Sequence, residues 1–176
     1  MILSFSTQLN GKPTYFIEKI WEGLLRTVFK DDEEYIDHLK AYEEQFGKHW
    51  DYLPEEQERM TNPKIHTIRE DKKERWKPGT KIDFFINCRQ KDMFRFAPVL
   101  PVVSVQKIEI KWIGFNNGFR PCIWIDKKLI YDIAEINKKL MLELAQKDGF
   151  DTIEDFFAYF NEDFTGKLIH WTDLKY

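Results

Sequence analysis

The stretch Val102-Val103-Ser104-Val105-Gln106-Lys107-Ile108-Glu109-Ile110-Lys111-Trp112 alternates apolar and polar residues for long enough to be a principal β-strand with one buried face. Such a strand needs backbone partners along its edges and an apolar layer against its inner face. The neighbouring sequence offers both. Lys81–Ile86, Met93–Phe96 and Pro121–Ile125 read as further strands, and Pro98 and Pro101 break the run before Val102. Asn116-Asn117-Gly118 and Asp126-Lys127-Lys128 supply turns, and Pro78-Gly79 suits the centre of a type II turn. Residues 2–7 read as a short first strand and Leu168–Trp171 as a closing one.

Helical spacing brackets this strand-rich middle. Pro13 fits a first helical turn, and Phe16, Ile17, Ile20, Trp21, Leu24, Leu25 and Val28 then form one broad apolar face. A second helix is expected from Asp31 or Asp32, carrying Tyr35, Leu39, Tyr42 and Phe46 and stopping at Gly47. Residues 48–63 read as irregular or part helical. Residues 131–147 return to helical spacing through Ile133, Ile136, Leu140, Leu144 and Ala145, with Asp148-Gly149 as the stop. Asp151 and Glu154 predict a capping box for a last helix that buries Phe156, Phe157 and Phe160. The fold class is α+β, and 176 residues make one domain the default.

Composition narrows the function. A net charge of −3 argues against broad non-specific nucleic-acid binding, but residues 64–91 gather enough Lys and Arg for a local basic groove. No apolar run approaches a membrane span, and residues 1–5 lack the charged leader of a signal peptide, so the chain reads as soluble and cytoplasmic. Cys88 and Cys122 stand apart, and the four histidines show no ligand spacing, so no metal is expected. There is no Walker segment and no dinucleotide fingerprint, hence no expected ATP or NAD cofactor.

The segment Lys64-Ile65-His66-Thr67-Ile68-Arg69-Glu70, with Arg75-Trp76-Lys77-Pro78-Gly79 after it, holds an amine, a hydroxyl, a guanidinium and a carboxylate within seven positions. In an extended segment Thr67 and Arg69 share a face, whereas Lys64 needs a turn before Thr67 to join them. The pattern Lys-x-x-Thr-x-Arg, a short charged loop, and an aromatic-Lys-x-Gly turn into a strand resembles the signature of the ASCH family, small PUA-like β-barrel domains linked to RNA and modified nucleosides. The family usually has Gly two places before the Lys, where this chain has Asn62 followed by Pro63. Leu144–Phe150, followed by the capped aromatic helix, also resembles the later part of those domains. The resemblance implies a small barrel flanked by helices. Roughly residues 26–61 then form a helical insertion that could be a lid, a partner surface or padding.

Some ASCH proteins remove the acetyl group from the exocyclic amine of cytidine, using the motif Lys, the motif Thr and a later Glu. Matched by position, these are Lys64, Thr67 and, in place of the Glu, the shorter Asp148. The chemistry is sound in outline: a desolvated lysine with a lowered pKa can take the proton of a hydroxyl nucleophile. Arg69 could orient a pyrimidine carbonyl or a phosphate. Trp76, beside charges and a turn, is the better exposed stacking candidate, with Lys77 next to it, whereas Phe84 and Phe96 are expected in the core. Set against these readings are plain ones: a strand threonine, a strand-end lysine, an Arg69-Glu70 surface pair, a solvated loop at 70–75 and a common helix exit at Asp148-Gly149. An acid at a helix C-terminus opposes the macrodipole, however, so a partner such as Lys64 or Arg69 is expected for Asp148. The reading ranked first is binding of a nucleotide or RNA, then amide hydrolysis on an acetylated cytidine. Third is a protein scaffold using Tyr35, Leu39 and Tyr42 of the insertion.

Overall fold

Strand β8 (Ser104–Phe115) is the long strand that the alternation predicts, starting two residues later than expected. In the computed structural model, which describes residues 1–9, 11–50, 62–115, 118–132, 134 and 136–176, its Ile108 and Ile110 are fully buried and Lys107, Lys111 and Ile113 lie on an exposed face. It pairs antiparallel with β9 (Gly118–Ile125) on one side and β11 (Phe164–His170) on the other. The sheet ends in β10 (Lys128–Tyr131) beyond β9 and in β4 (His66–Arg69) beyond β11, giving the order β10-β9-β8-β11-β4. The β9–β10 turn has Asp126 and Lys127 both at positive φ, the type I′ geometry that suits a twisted hairpin. The expected turn residues 116 and 117 lie outside the described residues.

A second sheet is built on β5 (Lys81–Ile86). It pairs in parallel with β1 (Ile2–Ser4) and antiparallel with β6 (Phe94–Arg95) and β7 (Leu100–Pro101). A two-stranded hairpin, β2 (Gln8–Leu9) with β3 (Lys12–Pro13), stands apart. The fold is therefore mixed α+β, and among the described residues strand pairing yields these separate sheets rather than one closed ring. The two larger sheets meet where Val103 N donates to His170 O and Val102 N donates to Thr80 O, each at 2.8 Å. The expected Pro78-Gly79 turn is present, with Gly79 at φ 83° and Thr80 N donating to Lys77 O.

Helix α1 (Phe16–Thr27) buries Ile17, Ile20, Trp21 and Leu24, the predicted face. Pro13 is not in its first turn. It pairs with Gln8 in the hairpin, because Thr14 donates through both N and Oγ1 to the carbonyls of Thr7 and Ser6 and pins the chain there. Helix α2 (Glu33–Phe46) starts after Asp32 and stops at Gly47, as expected. Its Tyr35, Leu39, Tyr42 and Phe46 pack inward with Trp21, Trp50 and Phe94, so this stripe is not a free docking face. The rest of the proposed insertion, 51–61, lies outside the described residues.

Helix α3 (Lys138–Lys147) starts later than the periodicity predicts, because Asp132 Oδ1 accepts from Ala134 N and Ile136 N and holds a turn there. Ile133 lies outside the described residues. Helix α4 (Ile153–Tyr159) is capped one residue later than expected: Asp155 N donates to Thr152 Oγ1, and that hydroxyl donates back to Asp155 Oδ2. Two cores result. One holds Phe5, Trp21, Phe84, Phe96 and Trp171; the other holds Ile68, Ile108, Ile123, Leu144 and Phe156 between the five-stranded sheet and α3 and α4. No helix among the described residues is long and apolar enough to cross a membrane.

Where α3 ends, Gly149 sits at φ 98°, and a Cβ there would meet Phe16 Cε1 at 2.7 Å and Lys64 Cδ at 3.1 Å. Gly149→Ala is expected to cost about 2–4 kcal/mol, from left-handed strain of about 1–2 plus crowding. Gly47→Ala, equally left-handed at φ 69° but open, should show only the strain. Urea unfolding of both variants measures the difference; equal losses would mean that the close packing at Gly149 carries no weight.

Candidate functional site

The end of α3 places the carboxylate. Phe150 N donates to Ala145 O and Gly149 N to Gln146 O, the paired bonds of a Schellman turn. This turn carries Asp148, only 4% exposed, against the open edge of β4. There Asp148 Oδ1 accepts from Ile68 N at 3.1 Å, satisfying a backbone donor that an edge strand would otherwise leave to water. Ile65 N donates to Lys147 O and Lys64 N to Lys19 O, so the approach to β4 is held by α3 on one side and α1 on the other.

Lys64 completes the arrangement. Its Nζ lies 3.0 Å from Asp148 Oδ1 and also donates to Asp148 O. Lys19, itself buried, donates to Gly149 O at 3.0 Å and to Asp151 Oδ1 at 2.6 Å. Two ammonium groups thus satisfy the carbonyls of the turn that ends α3 and oppose the negative end of its dipole. The Lys64 ammonium also sits 4.8 Å from the Phe16 ring centre. Burial drives its pKa down, the Asp148 charge recovers part of the loss, Arg69 and Lys19 lower it further, and it falls to about 8. For Asp148, burial pushes upward, but the charge of Lys64 and the His66 ring outweigh it and hold the carboxyl below its ordinary value.

Lys64, Thr67, Arg69 and Asp148 line one recess of about 50 Å³, although Lys64 and Asp148 are 84 positions apart. Thr67 and Arg69 share the face that their spacing predicts. Arg69 is half-buried, donating to Ser4 O at 2.8 Å with its guanidinium over Phe5, and does not pair with Glu70. A buried water needs about 10–15 Å³ of such space, so the recess holds a few waters or a small substituent and not a whole base. It shares Phe16, Phe150 and Tyr159 with a groove of about 400 Å³, within the size range of small-molecule sites, roughly 300–1,000 Å³. Another groove of about 290 Å³ lies between the β2–β3 hairpin, α1 and α2, but the buried ion pair is not in its lining.

Two sequence candidates are placed elsewhere. Trp76 is 7% exposed and part of the first core, so it is not a surface stacking residue. The cause is Asp71, which is buried rather than solvated and accepts from Arg75 N and Trp76 N, folding the loop inward. Lys77 is exposed, and neither residue lines the recess. Other participants were missed. Lys19 falls three places after Phe16 on the buried side of α1, a position where a lysine must find partners. His66 lies behind the site, with Nδ1 3.6 Å from Asp148 Oδ1 and Nε2 2.9 Å from the Tyr176 hydroxyl. Burial lowers its pKa, and the fully buried His170 beside it is lowered to about 3, so both rings are neutral near pH 7. His66 falls on the inward side of β4 with Ile68, which was the available signal. No family model, curated protein or solved structure matches the chain.

Asp148→Asn leaves a buried ammonium without its counter-charge and is expected to cost about 3–5 kcal/mol in urea unfolding at neutral pH. Adding Lys64→Met should recover most of that loss. Because the Asp148 pKa is lowered on folding, its contribution is present above the ordinary carboxyl value of 3.8 and lost as pH falls through the lowered one. The double variant should therefore lose less stability on acidification. A full loss of stability in the double variant would mean that the pair itself is not what Asp148 supplies.

Proposed function

We propose that this chain binds a modified nucleoside or nucleotide, free or within RNA, with the base in the aromatic groove and a small substituent in the recess. The convergence of Lys64, Thr67, Arg69 and Asp148 on one opening carries this reading. Phe16, Phe150 and Tyr159 offer the base an apolar wall, and Tyr159 is half exposed. Arg69 supplies planar donors for a carbonyl or a phosphate. The ASCH-type motif and a PUA-like arrangement of the two sheets belong to the same proposal, supported by the motif residues meeting the end of α3.

A second reading, hydrolysis of an amide on that substituent, is favoured by the Lys64 pKa of about 8. At pH 7 about one molecule in ten then carries the neutral amine. That amine takes the Thr67 hydroxyl proton as the oxygen attacks the acyl carbon. As the C–N bond breaks, the Lys64 ammonium returns the proton to the leaving amine, and water then cleaves the Thr67 ester. Asp148 holds Lys64 in place. Its shorter side chain costs no reach here, because the turn at α3 brings its backbone to the edge of β4.

Calorimetric titration with cytidine and acetylated cytidine tests the binding. Acetylated cytidine should bind more tightly, and Arg69→Ala should weaken it about tenfold, the loss of a charged hydrogen bond worth about 1.5 kcal/mol. Equal, negligible heats for both compounds would dismiss the groove. If cytidine is released, turnover should rise with pH through about 8 and fall at least about 100-fold in Thr67→Val while binding survives. No release at high protein concentration leaves the binding reading alone.

A further inference from the structure

One face of the five-stranded sheet is covered by α3 and α4; over β4, β11 and β8 the other carries a row of cations. The register pairs Arg69 on β4 with Lys167 on β11, and Lys167 with Lys107 on β8. Three positive side chains therefore stand side by side on three adjacent strands, spaced roughly 4.8 Å per strand. Like charges directly opposite one another destabilise a sheet, and this chain is acidic overall, so basic composition does not explain the row. Beyond Lys107 the exposed Lys127 and Lys128 follow at the β9–β10 turn, where Asp126 N donates to Lys107 O. Trp124, half-buried, and Leu129, exposed, lie on the same face, opposite Glu109 on β8 and opposite each other.

We propose that this face carries the backbone of a single-stranded nucleic acid, one of whose nucleotides enters the groove beside β4. Arg69 belongs to both places: it lines the recess and begins the row. The row spans roughly 10 Å across three strands, room for two or three phosphates of a strand that rises roughly 3.4 Å per charge when stacked. Trp124 offers a ring for an unpaired base. The neighbouring acids do not block this. Glu109 pairs with Lys107, and Glu74 lies 3.7 Å from Lys167; their side chains are 37% and 78% exposed, and such surface pairs yield readily to a phosphate. Asp126, at the turn beside Lys107, has both carboxylate oxygens engaged by Lys107 N and Gln106 Nε2. A duplex is disfavoured because its bases are not free to reach the groove. The inference rests on the nucleoside reading for the strand's path, but the row binds phosphates through residues that a free nucleoside does not need.

The test uses fluorescein-labelled single strands of about ten nucleotides, RNA and DNA, followed by anisotropy between about 50 and 200 mM salt. In Lys107→Gln/Lys167→Gln the slope of log affinity against log salt should flatten by about 1.4, from two lost contacts at about 0.7 each. Affinity at about 0.1 M salt should fall at least about tenfold, while Arg89→Gln/Lys91→Gln in the loop between β5 and β6 changes neither. Lys107→Gln alone, at a solvent-facing position, should give half the change. The RNA and DNA arms show which sugar is preferred, and either one passing supports the proposal. Equal slopes in the double variant and the wild type for both strands would overturn it, as would row-dependent binding to phosphatidylserine vesicles without strand binding. Calorimetry with free acetylated cytidine separates the two readings. Nucleoside binding with an unchanged strand slope sinks only the row; a flattened slope without nucleoside binding sinks only the groove.

Discussion

One buried contact, Lys64 Nζ to Asp148 Oδ1, decides where the surrounding elements can lie. Both groups are almost wholly removed from water, and an isolated ion in such a place costs several kcal/mol. The cost is offset only while the two stay together and their remaining hydrogen-bonding capacity is met. Asp148 therefore takes Ile68 N, and Lys64 takes the carbonyl of Asp148 as well as its carboxylate. The requirement fixes three elements at once: the end of α3, the edge of β4 and, through Lys64 N on Lys19 O, the flank of α1.

The recess follows from that junction. An edge strand ordinarily offers its free donors to water or to another strand. Here the edge is closed by a charged turn instead of a strand, and a turn leaves an opening where a strand would not. Thr67 and Arg69, alternating with the buried Ile68, line that opening, and Phe16 of α1, Phe150 after α3 and Tyr159 of α4 raise the aromatic walls around it. The same strand continues the sheet whose outer face bears Lys167 and Lys107. A closed recess for a small group, a groove for a ring and a cationic face thus share one strand.

Much of this was legible in the sequence, because local periodicity reports burial. The alternation after Val102, the apolar face of α1 and the stop at Gly47 each arise from residues close in sequence. The Lys64–Asp148 partnership was legible for a different reason: an acid at a helix C-terminus is unfavourable alone and calls for a cation. What failed depended on competition between local hydrogen bonds. Trp76 looked exposed by its neighbours, yet Asp71 captures two backbone donors and turns the ring inward. Asp132 delays α3 by the same device, and Thr152 outcompetes Asp151 as a cap. Lys19 and His66 were hidden because their partners lie far along the chain. The division of the strands into two sheets is set by pairing register, which alternation alone does not specify.

The backbone amide of Ile68, bonded to Asp148 Oδ1, is a reporter placed inside the junction. Two-dimensional ¹H–¹⁵N NMR during titration with acetylated cytidine reads it directly. A ligand seated where the buried pair creates space must move the Ile68, Thr67 and Gly149 amides most, with Phe150 and Tyr159 next. Saturable shifts confined to the depression near Val103 and Thr172, or to the groove beside Trp50, with Ile68 unmoved, would contradict a site at this junction.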